Sequence, residues 1–250
     1  MLRVLSAHRQ TGSALRLDWG PTGAAAISGG CDVAVVVDVL SFTTTVTVAA
    51  DRGAAVLPYR WDDADGARAL AAAHGAALAV GRFAAGPGDV TLSPPSVRAA
   101  RDLHWLVLPS PNGSTISARL AEVVPTVVAV SLRNRRAAAE WLRTQGAARV
   151  AVVCAGERWP DRSLRPAVED LWGAGALVDL LRLDAAPEAV AAAAAFRAVQ
   201  DDVRGALRAC ASGRELIEAG HPADVDVAAE LDASASVPVL RDGAFVVDVV

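Results

Sequence analysis

The stretch Val33-Ala-Val-Val-Val-Asp38-Val-Leu-Ser-Phe-Thr43-Thr44-Thr45-Val-Thr47-Val48 decides the fold of this chain. Its first five residues are apolar and mostly β-branched, which is typical of a strand buried on both faces of a parallel sheet. A hydroxyl-rich turn and a helix-compatible stretch follow. Asp38 therefore falls at the carboxyl end of a strand, where open α/β sheets place their ligands. A metal ion or hydrogen-bond donors would offset the cost of burying its carboxylate. The alternative role is that of a plain helix cap.

The same alternation of strand and helix continues along the chain, after a short opening strand and loops in residues 1–30. It predicts a three-layer α/β fold with a mainly parallel sheet and helices on both faces. Neither a linker nor a repeat is visible, so we expect one domain over 1–250. Segment 54–58 is expected to complete a βαβ unit with 33–37, and 81–96 to be a long functional or lid-like loop. The other predicted strands are 78–81, 105–108, 126–130, 149–154 and a closing pair, 237–240 and 245–250; the predicted helices are 43–52, 62–74, 116–122, 134–145, 166–182 and 189–211.

The composition is that of a globular protein: 53% of the 250 residues are apolar and 21% are charged. A net charge of −4 without a basic stripe argues against nucleic acid as a partner. No run of large apolar residues is long enough to span a membrane, and the first residues lack the apolar core of a signal peptide. Three cysteines do not make a disulfide framework. We therefore expect a cytoplasmic protein without a membrane partner.

Three further polar segments have the residue types that bind phosphate or metal. The turn Ser110-Pro-Asn-Gly-Ser-Thr115 joins a strand to a helix, and its glycine lets backbone amides approach an anion. The turn Cys154-Ala-Gly-Glu157 also follows an apolar strand, although Cys154 alone is typical of a small buried residue. Glu169 and Asp170 open a predicted helix, and adjacent carboxylates on a helix point about 100° apart, so one of them would face the site. The alternative for the 110–115 segment is a well-made turn with a helix cap. The alternative for Glu169 and Asp170 is two solvated acids near a helix N-terminus.

Several known catalytic arrangements are excluded. The chain has no P-loop, no Gly-x-Ser-x-Gly elbow and no HExxH motif. Leu40 stands where aspartyl-phosphate phosphatases carry a second aspartate, and Pro160 stands where a cysteine phosphatase using Cys154 would need arginine. The four histidines are scattered and do not indicate a zinc cluster. Carboxylates with phosphate-binding turns remain, and these suit Mg²⁺-assisted hydrolysis of a phosphate ester.

Five segments in order resemble the 2-phosphosulfolactate phosphatase (ComB-like) family of Mg²⁺-dependent acid phosphatases. They are VVVDVLSFTTTV (35–46), SPNGST (110–115), VCAGE (153–157), VEDLWGAGALVDLL (168–181) and SGREL (212–216). The resemblance implies an α/β fold, a small-molecule phosphate ester as substrate, and Mg²⁺ held by Asp38 and one of Glu169 or Asp170. It implies that the phosphate is held by Thr43, Thr44 and the 110–115 turn. The site residues that it implies are Asp38, Thr43, Thr44, Asn112, Gly113, Ser114, Thr115, Cys154, Gly156, Glu169 and Asp170.

Two positions depart from the family's pattern. Ser41 stands where the family usually has an arginine, which would be a natural anion clamp. Gly81-Arg82 stands where it usually has Gly-Glu-Arg. Arg82 and Arg98 are candidates to replace the lost positive charge. We therefore expect a phosphatase that acts on 2-phosphosulfolactate or, with an altered substrate, on a related 2-phospho acid; the alternative is a relative whose activity has decayed.

Two other hypotheses stay open at this point. The first is a non-catalytic protein that keeps the anion pocket but no longer holds the metal. The second is a different hydrolase or transferase that uses Cys154 as a nucleophile. The oligomeric state is also open, with a homo-oligomer as one alternative.

Overall fold

A computed structural model describes residues 5–86 and 88–248 of the chain. A nine-stranded sheet runs through this part of the molecule in the order β1-β7-β2-β6-β10-β11-β3-β5-β4, and β8 and β9 form a separate hairpin. The strands are β1 (Leu15–Trp19), β2 (Val33–Val37), β3 (Ala55–Arg60), β4 (Ala77–Leu78), β5 (Trp105–Ser110), β6 (Thr126–Val130), β7 (Val150–Cys154), β8 (Glu157–Arg158), β9 (Leu164–Arg165), β10 (Pro238–Arg241) and β11 (Ala244–Val247).

The sheet consists of two parallel blocks joined by an antiparallel hairpin. In one block β1, β7, β2 and β6 are parallel, and in the other β3, β5 and β4 are parallel. The hairpin of β10 and β11 lies between the blocks and pairs antiparallel to β6 and to β3. The mainly parallel sheet predicted from the sequence is thus confirmed.

Helices cover both faces of the sheet, which confirms the three-layer prediction. Along β2, Val33, Val35 and Val37 belong to one buried apolar cluster, whereas Ala34 and Val36 belong to the other. Successive side chains of a strand point to opposite faces, so each face of β2 needs its own cover. The helices are α1 (Gly20–Ile27), α2 (Phe42–Asp51), α3 (Ala64–His74), α4 (Pro94–Ala99), α5 (Gly113–Ala121), α6 (Arg135–Thr144), α7 (Val168–Val178), α8 (Pro187–Arg197), α9 (Val203–Ala209), α10 (Ala211–Glu218) and α11 (Pro222–Ala228).

The expected βαβ unit is wrong in its pairing. The strand predicted at 54–58 exists as β3, but β6, β10 and β11 lie between it and β2. The neighbours of β2 are instead β6 and β7, whose residues are almost entirely buried. β3 is less buried and ends in the exposed Arg60, so it fits poorly between two strands that are covered on both faces.

Three other predictions need correction. The long helix expected at 189–211 is interrupted by a 3-10 turn at Gln200–Asp202, where the Asp202 side chain accepts from Gly205 N and starts α9. The stretch 20–27, taken as loop because of its glycines and proline, is α1, with the proline in its first turn. Segment 81–96 contains the start of α4, and its residue 87 lies outside the described part, as do residues 249–250 of the closing strand. In the described part of the chain, no helix combines the length and apolarity needed to cross a membrane.

Candidate active site

A cleft of about 350 Å³ opens at the carboxyl ends of β2 and β5. These two strands belong to different blocks, yet Gly113 N after β5 donates to the Asp38 carboxylate after β2. This hydrogen bond therefore joins a strand end of one block to a strand end of the other. The lining residues are Asp38, Leu40, Ser41, Phe42, Trp61, Arg82, Leu92, Leu108, Ser110, Pro111, Asn112 and Glu157.

Asp38 is held at the base of this cleft by backbone donors. Its Oδ1 accepts from Phe42 N at 3.1 Å, and its Oδ2 accepts from Gly113 N at 3.1 Å. Burial raises the pKa of Asp38 to about 6, against the lowering effect of the two backbone donors and of Arg82; the charge of Glu169 raises it further. The carboxylate is thus fixed in place and ionised at neutral pH, with unused lone pairs on both oxygens.

Gly113 allows this close approach of two strand ends. A Cβ atom at this position would lie 2.2 Å from Phe42 Cδ1 and 2.8 Å from Asp38 Oδ2. Both atoms belong to buried side chains, so a side chain at position 113 would displace Phe42 or Asp38. The sequence predicted a glycine that lets the backbone approach an anion, and the anion that it approaches here is the carboxylate of Asp38.

Asp170 connects two strand ends beneath the cleft. Its Oδ1 accepts from Val39 N at 2.7 Å and its Oδ2 accepts from Gly156 N at 2.8 Å, so it joins the loops after β2 and β7. Burial raises its pKa well above the ordinary value, and the charges of Asp38 and Glu169 add to this. Asp170 is not among the residues that line the cleft.

Glu169 is buried beside Asp170. Within the described part of the chain, no backbone N–H donates a hydrogen bond to its carboxylate. Besides burial, the charge of Glu169 raises the pKa values of Asp38, Glu157 and the Cys210 thiol. Of the two adjacent acids, Glu169 is therefore the one whose charge is directed at the lining carboxylates without being fixed by loop amides.

Glu157 is a lining carboxylate that the sequence did not single out. Burial, with the charges of Asp38 and Glu169, raises its pKa to about 8, while Arg165 lowers it. Its Oε2 accepts from Asn112 Nδ2 at 3.2 Å. The only signal for it in the sequence was its place at the end of the 154–157 turn.

Arg82 enters the same cleft from the 81–93 segment. Its Nη2 donates to Ser41 Oγ at 2.5 Å, and its Nε donates to Asp224 Oδ2 at 2.8 Å. A guanidinium therefore lies beside the position where the family's arginine is replaced by Ser41. Arg98, the other candidate for this charge, pairs with Glu230 on the surface and is not a lining residue.

The hydroxyls expected to hold phosphate are engaged with the backbone. Thr43 Oγ1 donates to Asp38 O at 2.8 Å, and Thr44 Oγ1 donates to Val39 O at 2.7 Å; both residues are fully buried. In the second turn, Ser114 Oγ donates to Leu108 O, and Thr115 Oγ1 reaches Pro111 O at 3.5 Å. In this conformation these side chains shape the loops around the cleft, and their role in phosphate binding stays a prediction.

Cys154 is also part of the framework beneath the site. It is fully buried, and its thiol donates to Asp170 O at 3.6 Å. Burial raises its pKa well above the ordinary value, with Asp170 and Asp18 adding to the effect. A nucleophilic cysteine needs the opposite environment, one that stabilises the thiolate.

The carboxylates fit a magnesium ion only in its water-rich mode of binding. Among the described residues, no three His, Cys, Asp or Glu side chains are grouped closely enough to hold a metal ion. Mg²⁺ commonly binds through one or two carboxylates and completes its shell with water and substrate phosphate oxygens. Burial, together with the charges of neighbouring carboxylates, raises the pKa values of Asp38 and Glu157, and a divalent cation would stabilise their ionised forms. Oxygen donors and charge therefore suit this ion.

The fold and the cleft define an α/β protein with an acidic, polar site at converging strand ends. A family model described as 2-phosphosulpholactate phosphatase matches residues 25–243, and the chain belongs to this family. The chain is 30% identical over 222 residues to a probable 2-phosphosulfolactate phosphatase of Deinococcus radiodurans, covering 85% of this chain and 89% of the relative. It is 32% identical over 221 residues to a protein of the same name from Thermus thermophilus, covering 84% and 88%. A Synechococcus protein of that name is 34% identical over 227 residues, covering 83% and 88%. The family resemblance seen in the sequence is confirmed.

Proposed function

We propose that this protein is a Mg²⁺-dependent phosphatase that hydrolyses a small anionic phosphate monoester, 2-phosphosulfolactate or a related 2-phospho acid. The observation that carries the proposal is one cleft that is lined both by two carboxylates, Asp38 and Glu157, and by the guanidinium of Arg82. Family membership and the names of the relatives support the reaction class. The volume of about 350 Å³ suits a small molecule rather than a polymer.

Asp38 and Glu169 are the residues that we propose to hold the magnesium ion. Asp38 is immobilised by Phe42 N and Gly113 N, so its carboxylate is oriented before any ligand arrives. Glu169 has a buried carboxylate whose charge acts on Asp38. When bound, the ion would supply polarisation of the phosphoryl oxygens and neutralise the charge that develops on them.

The other polar residues keep this arrangement in place. Asp170 holds the ends of β2 and β7 at a fixed separation, and Thr43 and Thr44 tie the turn after Asp38 to its own backbone. Asn112 links two loops, because its Nδ2 donates to Glu157 and its Oδ1 accepts from Arg158 Nε. Preorganised donors and acceptors lower the cost of reaching the transition state, so these contacts bear on turnover.

The test is release of inorganic phosphate from a panel of small esters, including 2-phosphosulfolactate and phospholactate, with Mg²⁺ and with EDTA. Turnover of at least one ester that depends on Mg²⁺ supports the proposal. Folded protein that hydrolyses none of them, yet binds inorganic phosphate equally in Mg²⁺ and in EDTA, would support the anion-binding alternative instead.

A further inference from the structure

Arg82 is the only cationic side chain among the described residues that line the cleft. The lining also contains the carboxylates of Asp38 and Glu157, so positive and negative groups face the same space. A substrate with two anionic groups cannot place both at the carboxylates, even when a metal ion neutralises one of them. The second group needs a cation, and the cleft offers it at Arg82.

The guanidinium is fixed in position by three acceptors. Its Nε donates to Asp224 Oδ2 at 2.8 Å, and its Nη2 donates to Ser41 Oγ at 2.5 Å and to Leu92 O at 3.4 Å. Within the described part of the chain, its Nη1 has no hydrogen-bond partner. The side chain is 16% exposed. Nε and Nη2 are thus anchored, and the two N–H groups of Nη1 remain available to a ligand.

Asp224 is placed to hold this arginine rather than to bind substrate. It is 2% exposed, lies on α11 and also accepts a hydrogen bond from the Ser93 hydroxyl. The contacts of Arg82 and Ser93 with Asp224 attach both ends of the 81–93 segment to a helix that follows more than a hundred residues later. Asp224 therefore acts through Arg82.

We propose that Arg82 binds the second acidic group of the substrate, a carboxylate or sulfonate close to the ester carbon, and that Asp224 is its positioning residue. This rests on the proposed function and assigns the specificity of the same site. The phosphate group is then assigned to Asp38 and the metal ion that it would hold. A guanidinium nitrogen donates charge-assisted hydrogen bonds to an oxyanion, and a guanidinium already fixed in place does so without losing side-chain freedom.

The test compares two esters that differ only in the acid. 2-Phospholactate carries a carboxylate where isopropyl phosphate carries a methyl group. The ratio of their kcat/KM values is measured for the natural protein, Arg82→Gln, Asp224→Asn and the exposed-arginine control Arg101→Ala. A charged hydrogen-bond partner contributes about 1.5–3 kcal/mol, so Arg82→Gln should lower the ratio by about 10- to 100-fold. Asp224→Asn should lower it by a smaller factor, mainly through KM, and the control should leave it unchanged.

A double variant keeps the test decisive if the single variant Arg82→Gln fails to fold. Removing Arg82 alone leaves the buried Asp224 without its counter-charge, which is destabilising. Arg82→Gln with Asp224→Asn removes both charges and should show the same loss of discrimination. Added guanidinium ion should partly restore 2-phospholactate turnover in this variant, a response that a purely structural role would not give.

The outcomes separate this assignment from the proposed function. Equal loss of activity toward both esters would mean that Arg82 binds the phosphoryl group, and an unchanged ratio would mean that it binds neither; each overturns the assignment. If the natural protein hydrolyses no ester, calorimetry with lactate still decides. Lactate binding that disappears in Arg82→Gln supports the assignment while the phosphatase proposal fails, and lactate binding that persists overturns it.

Discussion

The carboxylate of Asp38 is a candidate catalytic group and also accepts hydrogen bonds that hold the surrounding loops in place. We expect Asp38→Asn to lower kcat/KM for the preferred ester by about 10³-fold, because it removes a charge that would hold the metal ion and stabilise the transition state. The measurement is phosphate release over a range of Mg²⁺ concentrations.

The same substitution also carries a stability cost. An amide can accept from only one of Phe42 N and Gly113 N, and its NH₂ would face the other. This should cost about 1–3 kcal/mol of the free energy of unfolding. Circular dichroism and urea denaturation would show whether the variant is still folded. A folded variant that keeps more than a tenth of the activity would contradict the role of Asp38.

Cys154 provides a test of the cysteine-nucleophile hypothesis. We expect iodoacetamide to modify it at pH 8 at least about 100-fold more slowly than a free thiol, because burial hides the sulfur and keeps it protonated. Peptide mapping by mass spectrometry identifies the modified cysteine. Unfolding in urea should restore the ordinary rate and serves as the control. Rapid labelling of the native protein at pH 7 would revive the nucleophile hypothesis.

The sequence predicted the site residues that follow strands and missed those that depend on distant contacts. Asp38 was found because a carboxylate at the end of an apolar strand is informative by itself. Glu157 was not assigned to the site, and Arg82 was one of two candidates for the lost positive charge, because their surroundings depend on Asn112 and Asp224, which are remote in the sequence. The orientation of Glu169 and Asp170 was open for the same reason.

Helix α7 carries those two acids and packs tightly against α8. A Cβ on Gly175 would lie 1.9 Å from Ala192 O, a backbone atom that cannot rotate away. We expect Gly175→Ala to lower the free energy of unfolding by about 1–3 kcal/mol, despite the better helix propensity of alanine. Urea denaturation measures this.

The control for Gly175→Ala is Gly29→Ala. A Cβ at Gly29 would have no neighbour within 4 Å, so we expect little change in stability. Because α7 also positions Glu169 and Asp170, Gly175→Ala should reduce phosphate release as well. A variant as stable as the natural protein would show that the two helices do not press on each other at this glycine.

The secondary structure could be predicted from the sequence more fully than the pairing of the strands. The strand at 126–130 follows from its local apolar pattern. The end of the helix near residue 74 follows from Gly75, which adopts a left-handed conformation. Gly173 and Gly175 are close-packing positions in an unbroken helix. The order of strands was not predictable, because many apolar strands are equally able to lie beside β2 and the choice is made by the fit of all layers together.

The molecule as a whole should lose stability as pH rises through the range in which its buried acids ionise. The folded pKa values of Asp38 (about 6) and Glu157 (about 8) lie above those of the unfolded chain, and that of Asp170 is raised as well. The folded state therefore binds more protons between about pH 4 and 8. Its free energy of unfolding in EDTA should be greatest near the acid end of this window and fall by up to about 1.4 kcal/mol per pH unit for each proton lost.

Two comparisons test whether the carboxylates of the cleft cause this decrease in the free energy of unfolding with pH. Glu157→Gln removes the group with the pKa of about 8, so the decline between pH 6 and 8 should become shallower. The proposed Mg²⁺ ion would bind the ionised carboxylates, so it should raise the free energy of unfolding more at pH 8 than at pH 5, where protons compete with it. Urea denaturation at pH 5, 6, 7 and 8, with EDTA and with Mg²⁺, measures both effects. If the natural protein and Glu157→Gln declined in parallel and Mg²⁺ acted equally at all four values, the carboxylates of the cleft would not be the ones that link folding to pH and metal.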